Sequence, residues 1–104
     1  MSPSWGVADK PDSVQEMLAK SLRGDGWYVK ITKRPVDLFV VTPDEAFGFW
    51  VEVKSRLTDP LTDRELDFFE ECPEPFRIRA SSMIEIINHW GDLIKARTGA
   101  KKDP

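Results

Sequence analysis

A chain of 104 residues, 40% hydrophobic and 32% charged, has the make-up of one soluble globular domain, with no length left for a second. Its apolar runs fall short of the roughly 20 residues a membrane helix needs, and Met1-Ser-Pro-Ser-Trp-Gly lacks the basic and apolar regions of a secretion signal, so a cytoplasmic protein is expected. A single cysteine, Cys72, and a single histidine, His89, exclude an intrachain disulfide and a thiolate-imidazole zinc site, and without a Gly-rich phosphate loop no organic cofactor is expected.

Residues 1–11 carry no periodic pattern and read as a loose arm. From Asp12 the pattern turns helical, with Val14, Met17, Leu18, Ser21 and Leu22 on one face and Gly24-Asp-Gly26 as the stop. Trp27 to Ile31 reads as the first strand. Asp37-Leu-Phe-Val-Val and Gly48-Phe-Trp-Val-Glu-Val-Lys54 read as the second and third, joined by a turn rich in Pro, Asp and Gly. Thr62-Asp-Arg-Glu65 is a capping box for a second helix, with Leu66, Phe68 and Phe69 as core candidates and Cys72 buried at its end. Pro73-Glu-Pro75 stops that helix, and Phe76 to Arg79 forms the last strand.

A second capping box, Ser82-Met-Ile-Glu85, opens a helix whose Met83, Ile86, Ile87, Trp90, Leu93 and Ile94 form a core stripe, with His89 off it at the surface. Residues 98–104 read as a disordered basic tail, which leaves one domain over 12–97. The order helix, three strands, helix, strand, helix implies an α/β core. Its sheet is small and mixed, with the third and fourth strands joined by a crossover helix.

The chemistry concentrates in the hairpin. Alternate side chains of a strand leave on opposite faces, so Trp50, Glu52 and Lys54 share one side and Phe49, Val51 and Val53 the other. If the reversal centres on Asp44 and Glu45, Asp37 lies across from Glu52 with Cβ atoms on the order of 5 Å apart. Two facing carboxylates repel unless one is protonated or a cation sits between them. Mg²⁺ suits two carboxylates, the Val53 carbonyl, water and a substrate phosphate. Lys54, beside such an ion, could orient or deprotonate a water or hold a phosphate. The plain alternative is a turn-capping Asp37 with Glu52 and Lys54 on the wet face of an ordinary hairpin.

Arg34-Pro-Val-Asp37, an apolar strand and Val51-Glu-Val-Lys54 together resemble the PD-(D/E)xK nuclease superfamily. The following Leu61-Thr-Asp-Arg-Glu-Leu, Phe76-Arg-Ile-Arg79 and closing helix are most similar to the small VRR-NUC subgroup. Archaeal Holliday-junction resolvases are similar too. The likeness covers roughly residues 12 to 90. It implies a restriction-endonuclease-like core of order α-β-β-β-α-β-α, and a Mg²⁺- or Mn²⁺-dependent DNA endonuclease. Asp37, Glu52 and Lys54 would be catalytic, with Asp37, Glu52 and the Val53 carbonyl as metal ligands. Because such nucleases are often phage-encoded, the compartment could be a host cytoplasm.

The sequence departs from the resemblance in three places. The acid expected on the first helix falls on Pro11, with Asp12 one residue off and Glu16 on the polar face. Pro35 stands two residues before Asp37 instead of directly before it. Glu65 replaces a usual Gln and reads either as a further ligand or as half of the capping box.

The net charge of −3 runs against nucleic-acid binding. Basic residues nevertheless gather around the hairpin, with Lys33, Arg34 and Arg56 as candidate DNA contacts. The partners expected are DNA and a second copy of the chain in a symmetric homodimer on branched substrates. Two other readings are a nuclease-like fold that only binds DNA or assembles, and an interaction module using Trp5 and the acidic stretch 59–74.

Overall fold

The computed structural model describes the backbone of residues 10–102 and the side chains of 14–98. Helix α1, Lys10–Gly24, leads into strand β1, Tyr28–Ile31. The turn between them is set by Gly26, whose φ of +94° is cheap only for glycine. Trp27 N–H then bonds back to Leu22 O at 3.1 Å and Gly26 N–H to Arg23 O at 3.1 Å, closing a Schellman motif. Strands β2, Leu38–Val41, and β3, Gly48–Val53, follow, then helix α2, Asp63–Glu71, a 3₁₀ turn at Glu74–Phe76, strand β4, Arg77–Ala80, and helix α3, Met83–Lys102.

The domain is thus α/β, with a mixed four-stranded sheet in the order β1-β2-β3-β4. The first two pairings are antiparallel, whereas β3 and β4 run parallel, as the crossover through α2 requires. Between β2 and β3 the chain reverses around Asp44 and Glu45. Glu45 N–H bonds to Thr42 O and Thr42 N–H to Phe47 O, and the pairing Leu38 with Val51 follows.

One face of the sheet carries Val29, Leu38, Val40, Phe49, Val51 and Ala80, all buried against Ala19 and Leu22 of α1 and Ile86 of α3. Each large side chain so buried contributes about 1.5–3 kcal/mol. Trp27 closes this core edge-on to Phe49 and Trp90. The opposite face meets α2 through Phe68 against Trp50 and through Phe69, over which the Arg77 guanidinium lies 4.8 Å from the ring centroid. Among the described residues no helix is long and apolar enough to cross a membrane.

Several expectations need correction. Helix α1 starts at Lys10, not Asp12, and its buried face is Gln15, Leu18, Ala19 and Leu22. Met17 is 69% exposed and Ser21 is exposed, because the helix lies on the sheet rotated by about one position from the apolar count. Residues 1–9, including Trp5, lie outside the described residues, as does the Asp12 side chain. Strand β1 begins at Tyr28, Trp27 being spent on the core, and β4 begins at Arg77 after the unforeseen 3₁₀ turn.

Leu66, Ile87 and Ile94 are exposed, since α2 and α3 each touch the sheet along a narrower stripe than their apolar content suggests. His89 is not a free surface residue. Its ring packs edge-on to Phe49, and Nε2 lies 2.9 Å from Pro75 O. Cys72 is only half-buried, at the α2 C-cap. Helix α3 continues to Lys102, through most of the stretch expected to be a disordered tail; residues 103–104 lie outside the description.

Candidate metal and phosphodiester site

The pairing of Leu38 with Val51, carried back one step, sets Asp37 directly across from Glu52. Asp37 sits between two fully buried residues, Val36 and Leu38, so its backbone has little freedom. Its carbonyl accepts from Thr32 N–H at 2.8 Å, and its carboxylate is held at both oxygens. Oδ2 accepts the Val53 N–H and Oδ1 accepts Gln15 Nε2, each at 2.8 Å. In an extended strand the N–H and C=O of one residue face the same neighbour, so the Val53 carbonyl also looks toward Asp37.

Glu52 is 3% exposed, and its Oε1 has no hydrogen-bond partner. Burial, the Glu65 carboxylate and the Asp37 charge together push its pKa from 4.5 up to about 9. Among three neighbouring carboxyl groups, the buried Glu52 is the one these surroundings drive toward its protonated form. Asp37 is also raised by burial, opposed by the Val53 N–H and by the bond to Glu52.

Lys54 Nζ lies 2.9 Å from Glu65 Oε1 and 3.5 Å from Glu52 Oε2. Burial works against its ammonium, but the two carboxylates outweigh that and its pKa is raised. For Glu65 burial likewise disfavours charge, yet bonds from Glu52, the Thr62 N–H and Lys54 bring its pKa below the usual range. Glu65 also completes the capping box of α2: Thr62 N–H donates to Oε1 at 2.9 Å and Glu65 N–H to Thr62 Oγ1 at 3.3 Å. The capping role foreseen for it is present, and the same side chain pairs with Lys54, which the sequence did not foretell.

Beside Glu65 opens a cleft of about 510 Å³ lined by Lys33, Pro35, Thr62, Asp63, Arg64 and Glu65. Of the three basic residues singled out in the sequence, Lys33 lines it. Arg34, between two lining residues, is exposed without lining it, and Arg56 pairs with Asp59 at 3.3 Å. Glu16 is exposed on α1.

Two contributors were missed. Gln15 heads the buried stripe Leu18, Ala19, Leu22, and a polar residue in that register was the available signal. Arg64 gave none, being one charge on an amphipathic helix.

Among the described residues no set of three His, Cys, Asp or Glu side chains is arranged to hold a metal ion. A divalent cation bound by two carboxylates and a backbone oxygen still fits the donors present. The unpartnered buried Glu52 Oε1 opposite Asp37 is where a hard cation would replace a proton. Comparison with protein-family models, with curated proteins and with solved structures finds no match for this chain.

Proposed function

We propose that the chain is a Mg²⁺- or Mn²⁺-dependent DNA endonuclease with a restriction-endonuclease-like core. The observation that carries this reading is Glu52, buried with an orphaned oxygen, facing Asp37 on the sheet face that also presents Lys54. A solvated hairpin gives no reason to bury a carboxyl group with one oxygen left unpartnered, at a cost of about 1–3 kcal/mol.

Asp37, Glu52 and the Val53 carbonyl would hold the ion, which when bound supplies Lewis acidity and a water of lowered pKa. Gln15 and the Val53 N–H fix the Asp37 carboxylate, so no reorganisation is needed on binding. With Glu52 taken up by the ion, the Lys54 ammonium keeps its Glu65 partner and turns its remaining N–H groups to the scissile phosphate or the attacking water. Lys33 and Arg64, on the cleft beside it, receive the flanking backbone. A chain this small covers a limited stretch of duplex and two related cuts need two sites, so the active form is a symmetric homodimer on branched DNA.

A second reading, a nuclease-like fold that binds DNA or assembles without cutting, draws support from Lys54 being locked between two carboxylates and from the net charge of −3. Incubation with labelled four-way junction, flap, single-stranded and linear duplex DNA separates the two, with Mg²⁺, Mn²⁺ or EDTA and a Lys54→Ala control. Cleavage that needs the metal and is lost in the variant is expected. DNA binding indifferent to metal and to the substitution, without cleavage, would leave the second reading.

A further inference from the structure

The sheet face that presents Asp37 and Glu52 does not end with them. Two residues along each strand, on the same side, stand Phe39 and Trp50, directly paired across β2 and β3 with ring centroids 5.0 Å apart. Lys30 of β1 is the cross-strand partner of Phe39, and Tyr28, two residues before it, is 58% exposed on the same side. Phe68 of α2 stands edge-on to Trp50 from the other flank. Trp50 is thus half-covered by α2, and half-buried Phe39 with exposed Tyr28 are the rings left open beside the carboxylate pair; the step from the Phe39 and Trp50 row to the Asp37 and Glu52 row is about 7 Å.

We infer that this aromatic row receives the unpaired bases of a single DNA strand whose backbone enters the site. The inference rests on the phosphodiesterase reading for the nature of the ligand, and it names the substrate class: single-stranded DNA or the unpaired arm of a branch. Bases inside a duplex are stacked on one another and offer no face to a protein ring, whereas an unpaired base does. The face has what such a strand needs, namely rings to stack on and cations to track the phosphates. Lys30 stands within the row, and Lys33 and Arg64 line the cleft beside Glu65. The acidic total of the chain does not oppose this, because stacking is indifferent to net charge and the local cations lie where the backbone would pass. A phosphate in the site and the next base on Phe39 are within one nucleotide's reach, and Tyr28, across from Val41 one row further on, is reached by the base after that.

The test is fluorescence anisotropy of labelled oligo(dT) and of a blunt duplex of equal length, in EDTA so that neither is cut. The full chain is compared with its Tyr28→Ala, Tyr28→Phe and Lys30→Glu variants. Tyr28 and Lys30 are exposed, so the fold is expected to survive each change, which near-ultraviolet circular dichroism checks. The wild type is expected to prefer the single strand. Tyr28→Ala should weaken that binding by about 5- to 150-fold, the worth of one stacked base, Tyr28→Phe should restore it, and Lys30→Glu should lower it with a flatter salt dependence. Equal affinity for the two DNAs, or oligo(dT) binding unmoved by Tyr28→Ala, overturns the inference even if metal-dependent duplex cleavage is seen. Ring-dependent binding of oligo(dT) with no cleavage in any metal upholds it and sinks the nuclease reading instead.

Discussion

Lys54 reaches Glu65 across 2.9 Å while standing 3.5 Å from Glu52, so one ammonium holds the charged Glu65 carboxylate beside a Glu52 carboxyl that burial and proximity drive toward its protonated form. In the metal-free protein it occupies the electrostatic role that a divalent cation would take. Lys54→Ala is therefore expected to destabilise the metal-free chain by about 2 kcal/mol, less than the 3–5 kcal/mol of a fully buried pair because Lys54 is partly open to water. Mn²⁺ should recover most of that loss. Chemical denaturation in EDTA and in Mn²⁺ checks it, and a loss that Mn²⁺ leaves untouched would argue that no cation enters between these carboxylates.

A pH dependence follows from Glu52. Its folded pKa of about 9 lies above the ordinary 4.5, so the folded chain keeps a proton that the unfolded chain has released. Its stabilising contribution is full below about 4.5 and is lost as pH rises through the folded value. Asp37, raised as well, acts in the same direction. In EDTA the denaturation midpoint should fall between pH 5 and pH 9, and Glu52→Gln, which stays neutral throughout, should flatten the slope. A wild-type profile already flat across that range would mean that Glu52 is ionised when folded.

The facing of Asp37 and Glu52 was legible in the sequence because register is a matter of counting. Two β-branched and aromatic strands around a Pro-Asp-Glu turn leave one centre of reversal, and a slip of one residue would turn Phe49 and Val51 to the wrong face. The order of elements was legible for the same reason, since turn and cap residues mark each boundary. The rotation of α1 was not. Met17 and Val14 are as apolar as Ala19, and only the presence of the sheet beneath decides that Gln15, Leu18, Ala19 and Leu22 are the residues to bury. The closeness of Glu65 to Lys54 depends on where the crossover helix lands, which local pattern does not determine.

Because Glu65 Oε1 accepts from both Thr62 N–H and Lys54, the α2 cap and the site are coupled through one atom. Thr62→Ala should cost about 1 kcal/mol in the wild type. The cost in a Lys54→Ala background should differ by at least about 0.5 kcal/mol. Equal costs in a double-mutant cycle would show that Glu65 serves cap and site independently.

Gln15 offers the sharpest probe of the carboxylate pair, because its side-chain hydrogen bond among the described residues goes to Asp37. Gln15→Ala leaves Asp37 Oδ1 without its donor and should cost about 1–2 kcal/mol in denaturation. Gln15→Glu removes the same donor and adds a third acid beside Asp37 and Glu52, so without metal it should be the more destabilising change. With a cation the order reverses. Three carboxylates hold a hard divalent ion more tightly than two, so Mn²⁺ titrated calorimetrically should bind Gln15→Glu more strongly than wild type, and Gln15→Ala more weakly. The stability of Gln15→Glu should then climb above that of Gln15→Ala as Mn²⁺ is added. If both variants bind Mn²⁺ as the wild type does, the ion is not held at Asp37, and the metal-dependent reading of this hairpin falls with it.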